Sequence, residues 1–375
     1  MSQPAVAVAP PRTARALRRH TPLVLGLIGI TAVMAACGSS SSGGNPPGAG
    51  SSSGQSPSSV HIAFVYDTTS ENFAQEMSLG AGAAAKATGI NLTNTAPSTA
   101  NGSQQVQLFQ AALQNDKNGI ALATLFPDLF IHPFKQAASK NIPTIAVDAP
   151  PAAGSGVTLF IGNDNYQLGV ALANALLPKI PNTAGQILIG TDTPGLPVLT
   201  ARNQGFQDTL KKARPSVSFV NFNSTQEPST NFSAWSSAVQ SHPNALAYVG
   251  PGSQDAASLY EIEKKTGKHY VVGADDLDPN SLAGVAAGDV QALVSPEHWL
   301  KGYIAVDLLA EHALKGTPLP SGWWNPGYLT VDKANIQQIQ QRQQSAANRT
   351  SYFQAEVNKE LADPQKYIKP LSAIG

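Results

Sequence analysis

From residue 60 to residue 331 the chain alternates short apolar runs with helical windows, and that alternation leaves few folds open. The apolar runs are nearly free of charge, as suits parallel strands covered on both faces. A first series predicts strands at 60–65, 90–94, 120–125, 143–147 and 157–161, with helices at 73–88, 103–115, 129–140 and 166–177. A second predicts strands at 186–190, 217–222, 245–249, 269–273, 290–294 and 327–331, with helices at 199–213, 232–241, 255–266, 281–287 and 299–315. Two such series imply an α/β protein of two doubly wound lobes. Trp323-Trp324 reads as loop packing beside the last strand, and the Gln-rich stretch 335–375 lies outside the repeat.

In open α/β sheets, ligands bind just past the carboxyl ends of the strands. The first strand runs into a polar turn, 67–72, with Ser70 as the expected N-cap of the following helix. Tyr66, Asp67, Glu71 and Phe73 are therefore the first residues to place in a binding cleft.

The amino terminus reads as a targeting segment, residues 1–36. Four arginines (Arg12, Arg15, Arg18, Arg19) precede an apolar stretch, 23–34, too short to span a bilayer. Met34-Ala35-Ala36 then stands directly before Cys37, the only cysteine of the 375-residue chain, which excludes an intramolecular disulfide. That position resembles the lipobox of bacterial lipoproteins, so Cys37 is expected to carry the lipid. A mature protein without lipid would contradict this. Residues 37–59 are nearly all Ser, Gly and Pro, a flexible tether spanning roughly 25 Å. Net charge is zero overall, and with the four leader arginines set aside 20 basic residues face 24 acidic ones. No basic patch argues for nucleic acid. Zinc-protease, nucleophile-elbow and phosphate-loop patterns are all absent, so neither catalysis nor a cofactor is expected.

Six stretches in order carry a resemblance: 64–73, 141–148 (NIPTIAVD), 162–166 (GNDNY), 202–206 (RNQGF), 271–275 (VVGAD) and 331–335 (VDKAN). Together they resemble the type I periplasmic sugar-binding proteins of bacterial ABC importers, ribose-binding-like, over about 60–336. The resemblance implies Rossmann-like lobes joined by three hinge crossings. The binding domain would be 60–332, with one lobe at 60–163 and 297–325, the other at 164–296 and 326–332, and an extension at 333–375. It also implies capture of a small polar solute, sugar or polyol, by a monomer outside the cytoplasmic membrane, and delivery to an ABC permease. A lipoprotein that senses the solute for a receptor kinase or chemoreceptor is the other role open to such a chain.

Carried over residue by residue, Asp148 and Asp275 would accept bonds from sugar hydroxyls, Arg202 would donate to oxygens, and Phe73 would cover an apolar face. Carboxylates and the planar arginine fork suit a polyol. The departures are Ala149 in place of an arginine, Asp67 and Glu71 in place of neutral residues, and Gly252 in place of an asparagine with Ser253 adjacent. Pro296 replaces a glutamine, followed by Glu297 and His298, and Gln226 replaces an aromatic that Phe232 or Trp235 would have to supply. A site that loses an arginine and gains acids implies a neutral polyol or a solute with some cationic character.

Overall fold

The computed structural model describes residues 55–374, and the leader, Cys37 and most of the tether lie outside them. The tether as read runs too far: Pro57–Ser59 form a 3-10 turn, and the Asn91 side chain donates to the Ser58 carbonyl at 2.7 Å.

Two sheets carry the chain. The first holds β1 (His61–Val65), β2 (Asn91–Thr95), β3 (Gly119–Ala123), β4 (Thr144–Val147) and β5 (Leu159–Ile161). The second holds β6 (Gly185–Thr191), β7 (Val217–Asn223), β8 (Ala247–Gly250), β9 (Val272–Asp275) and β10 (Ala292–Ser295). Three late strands complete them: β11 (Gly322–Trp324), β12 (Leu329–Val331) and β13 (Ile368–Lys369). The orders are β13-β11-β5-β4-β3-β1-β2 and β12-β10-β9-β8-β6-β7. All pairings are parallel except β12 on β10 and β13 on β11. Each sheet thus reverses its winding at its first strand, the topological switch point where clefts form.

The helices are α1 (Asn72–Thr88), α2 (Gly102–Asn115), α3 (Ile131–Ser139), α4 (Asn165–Leu176), α5 (Pro197–Ala213) and α6 (Pro228–Ser241). Then follow α7 (Asp255–Thr266), α8 (Pro279–Ala287), α9 (His298–Lys315), α10 (Ile336–Gln343) and α11 (Ala346–Ala362). Their starts follow local chemistry: Asn101 and Asp164 cap α2 and α4 through their side chains, and proline opens α5, α6 and α8. The N-cap of α1 is Glu71 rather than Ser70, and it makes no side-chain cap bond because its carboxylate is engaged elsewhere. Glycines set the two closest helix pairs. A Cβ at Gly302 of α9 would overlap the Met77 carbonyl of α1, and one at Gly169 of α4 would overlap the Arg202 carbonyl of α5. Those approaches seat the helices that carry Lys301 and Arg202.

The chain passes between the sheets three times, after β5, after β10 and after β11. It then passes a fourth time. Ile336 and Ile339 of α10 enter the apolar core of the second sheet, whereas Phe353 and Val357 of α11 enter that of the first. β13 then pairs with β11. Residues 335–374, within the stretch read from sequence as lying outside the repeat, are therefore built into both halves. Trp323-Trp324 is likewise a strand and not a loop, with both rings buried and Trp324 Nε1 donating to Glu360 of α11 at 2.7 Å.

Candidate functional site

The carboxyl ends of both sheets face one cleft of about 370 Å³ not filled by protein atoms. Phe73, Leu125 and Asp148 line it from the first sheet, and Asp192, Arg202, Gln226, Ser253 and Asp276 from the second, with His298 from α9.

Asp148 and Asp276 are counterparts. Each follows the last residue of its strand and takes a left-handed backbone, with φ of 71° and 68°. Each donates its amide to the neighbouring strand, Asp148 to Ile161 and Asp276 to Val294, both at 2.9 Å. Aspartate tolerates this region better than most residues, and the turn it makes aims its carboxylate off the strand end.

A continuous polar chain joins the two. Lys301 Nζ donates to Asp148 Oδ1 at 2.5 Å and to His298 Nδ1 at 3.2 Å, and His298 Nε2 lies 2.8 Å from Asp276 Oδ1. Lysine has only donors, so Nδ1 accepts and Nε2 carries the proton given to Asp276. Arg202 stands beside this chain, held by Nε to Asn165 at 3.0 Å and by Nη1 to the Pro251 carbonyl at 2.9 Å. Its guanidinium lies 3.6 Å from Asp275 and 3.9 Å from Asp276. Above, Glu71 Oε2 accepts from Ser253 Oγ at 3.0 Å and from Gln254 Nε2 at 3.1 Å, a second polar link between the halves.

The charges divide by environment. Burial works to raise Asp148, but the Lys301 ammonium overcomes it and holds the carboxyl at about 2. Asp276 is likewise held low against burial by His298 and Arg202. Burial pushes Asp67 up to about 8, helped by the Asp148 carboxylate; it also pushes Asp275 to about 8 and Asp192 to about 7. Glu71 is raised too, again by burial. Near neutral pH, two ionised carboxylates, Asp148 and Asp276, therefore face Arg202 and Lys301, the lysine drawn down by burial and held up by the Asp148 carboxylate. The acid excess read from the sequence is largely an excess of protonated carboxyls, which carry no charge.

The structure thus gathers Phe73, Asp148, Arg202 and Ser253 on the cleft wall but sets three expected residues behind it. Asp67 and Asp275 are buried with no hydrogen-bond partner on either carboxyl oxygen, and Glu71 bridges the halves. Asp276 takes the wall position expected of Asp275, because the left-handed turn falls one residue later. Tyr66 stacks on Phe64 in the core. Neither Phe232 nor Trp235 reaches the cleft: Trp235 is buried with Nε1 bonded to Asp255, and Lys265 lies over the Phe232 ring at 4.0 Å. Leu196, Val198 and Leu199 supply the apolar wall instead, packing toward Leu125 and Ala149 across the cleft. Gly252 is small because a Cβ there would meet the Asp192 carboxylate. Lys301 and Asp192 were missed in the sequence. Asp192 carried a usable signal, since it follows its strand as Asp148 does.

Residues 62–317 match the periplasmic binding protein domain family. The chain belongs to that family. Among periplasmic binding proteins, the D-allose-binding periplasmic protein of Escherichia coli (strain K12) is 25% identical over 271 residues, 70% of this chain and 87% of that one. The xylose/arabinose-binding protein XylF of Sulfolobus acidocaldarius is 25% identical over 328 residues, 81% of this chain and 79% of its own. A solute-binding protein of an ABC transporter from Burkholderia graminis, solved in complex with D-arabinose, superposes with a TM-score of 0.69 at 22% identity. That match covers 75% of this chain and 98% of the other. The fold is therefore the type I periplasmic binding fold, extended here by the fourth passage. Among the described residues, no helix is long and apolar enough to cross a membrane.

The buried acids make stability pH-dependent. Asp67 holds its proton to about pH 8 when folded, but the ordinary value is 3.8. Between those values the folded state binds more protons, so stability falls as pH rises. Asp67→Asn should lessen that slope by about 1.4 kcal/mol per pH unit. Urea unfolding at pH 5 to 8 checks it, and an unchanged slope would contradict the assignment.

Proposed function

We propose that this protein captures a neutral monosaccharide outside the cytoplasmic membrane, as a monomer anchored through a lipid on Cys37, and presents it to an ABC permease. The observation that carries the reading is the charge-balanced chain Asp148–Lys301–His298–Asp276, with Arg202 beside it. Ionised carboxylates accept from hydroxyls, and Arg202 Nη2 is left to donate to a ring or hydroxyl oxygen. The protonated acids behind the wall keep the site near neutral, which favours an uncharged polyol over a cationic solute. Phe73 and the leucine-rich wall suit the apolar faces of a sugar ring. Three wall positions expected from the family resemblance, Phe73, Asp148 and Arg202, converge here, and the relatives named above are sugar binders.

Isothermal titration of the chain with D-allose, D-xylose, D-arabinose, D-glucose and D-galactose tests this. At least one should bind and, at a hundredfold excess over Kd, stabilise the protein by about 2.7 kcal/mol. Arg202→Lys keeps the charge but loses the planar fork, and should weaken the best sugar about 10–100-fold. Silence toward every sugar at millimolar concentration, with tight binding of an amine-bearing solute, would replace the reading.

A further inference from the structure

The far ends of β9 and β10, opposite the cleft, carry a second cluster. His269 lies in the loop that leads into β9, and Asp289 in the turn that leads into β10. Their side chains meet, with His269 Nδ1 3.1 Å from Asp289 Oδ1. Behind them stands Glu263 of α7, only 3% exposed. Its Oε1 accepts from the Tyr270 amide at 2.5 Å, whereas Oε2 is buried with no hydrogen-bond partner. One ligand atom from each of the three residues lies within 4.8 Å of the other two.

A buried carboxylate oxygen without a donor is costly, and proteins seldom leave one so. The Tyr270 amide fixes this carboxylate through Oε1, and the group stands beside an imidazole and a second carboxylate. We propose that Glu263, His269 and Asp289 form a binding site for one zinc ion. Zinc takes imidazole at about 2.0–2.1 Å and carboxylate at about 2.0–2.2 Å, with water in the remaining position. The His269 side chain is 80% exposed, so it turns freely to bring its nitrogen onto the ion. Imidazole disfavours calcium and magnesium, which prefer all-oxygen sites. The ion would satisfy Glu263 and clamp the end of α7 to the turn after α8, fixing the roots of the two strands whose other ends reach the cleft.

The test is titration of ZnCl2 into the untagged, chelator-stripped chain. One equivalent should bind with a micromolar or tighter Kd and raise the unfolding temperature, whereas CaCl2 and MgCl2 at the same concentration should not. His269→Ala, at an exposed position that does not threaten folding, should weaken zinc at least tenfold, and Asp289→Asn should do the same. Sugar affinity should be unchanged in both, which separates this site from the cleft. Absence of binding at about 100 µM zinc, roughly a hundredfold above the micromolar Kd expected, or equal affinity in wild type and both variants, overturns the proposal.

Discussion

Lys301→Met is expected to destabilise the protein by about 3–5 kcal/mol, the usual result of removing one member of a buried ion pair. Lys301 is 1% exposed and its ammonium contacts Asp148 and His298. Methionine fills the space of the stem but strands Asp148 as an uncompensated buried carboxylate. The pH response should change sign as well. In the wild type, Asp148 is held at about 2, below its ordinary 3.8, so its share of stability is present above pH 4 and lost as pH falls through 2. Without the ammonium, burial prevails and raises the carboxyl, so stability declines as pH rises instead. Adding Asp148→Asn should recover much of the loss, because neutral replacement of both partners removes the stranded charge. Urea unfolding of the wild type, both single variants and the double variant measures the coupling. A loss below about 1 kcal/mol for Lys301→Met, the size of an exposed pair, would mean that the lysine is not a buried counter-ion.

Arg342→Met, at a residue that does not line the cleft, is expected to cost a similar amount, about 3–5 kcal/mol. Arg342 Nη1 lies 3.2 Å from both oxygens of Glu297, and both side chains are buried. Glu297 is the N-cap of α9 on the second passage between the sheets and holds a left-handed backbone, φ 51°. The guanidinium also lies over the rings of Tyr352 and Phe353, at 4.9 and 5.0 Å. Losing it removes a cation–π partner and leaves Glu297 buried without its counter-charge. Hydrogen exchange should show α11 amides opening in a local step while β3 and β8 still exchange only through global unfolding. Uniform acceleration through the whole chain would instead mean that α11 is not a separately anchored element.

The strands legible in the sequence are those with unbroken apolar runs, such as β3, which is buried at every position. The strands missed are β11 and β13, three and two residues long, too short for any periodicity to register. The tail was missed because its glutamines mask the few apolar residues that anchor it, Ile336, Ile339, Phe353 and Val357. In the cleft, the strand end located Asp148 and the family resemblance supplied Arg202, but choosing Asp276 over Asp275 requires the left-handed turn, which residue type alone does not specify. Lys301 sits in the apolar run Trp299–Ile304, where a lone lysine looks like a solvated interruption. Only the packing of α9 against the first sheet turns it toward Asp148.

The fourth passage also bears on how tightly a solute is held. The apparent affinity of a two-lobed receptor is its intrinsic affinity scaled by the fraction of molecules already in the binding geometry. Glu71 with Ser253, His298 with Asp276, and the α10–α11 segment seated in both cores all contribute to that fraction through protein contacts alone. Substitutions in the C-terminal segment therefore offer a way to tune affinity without altering which solute is chosen, since selection and strength are written in different parts of the chain.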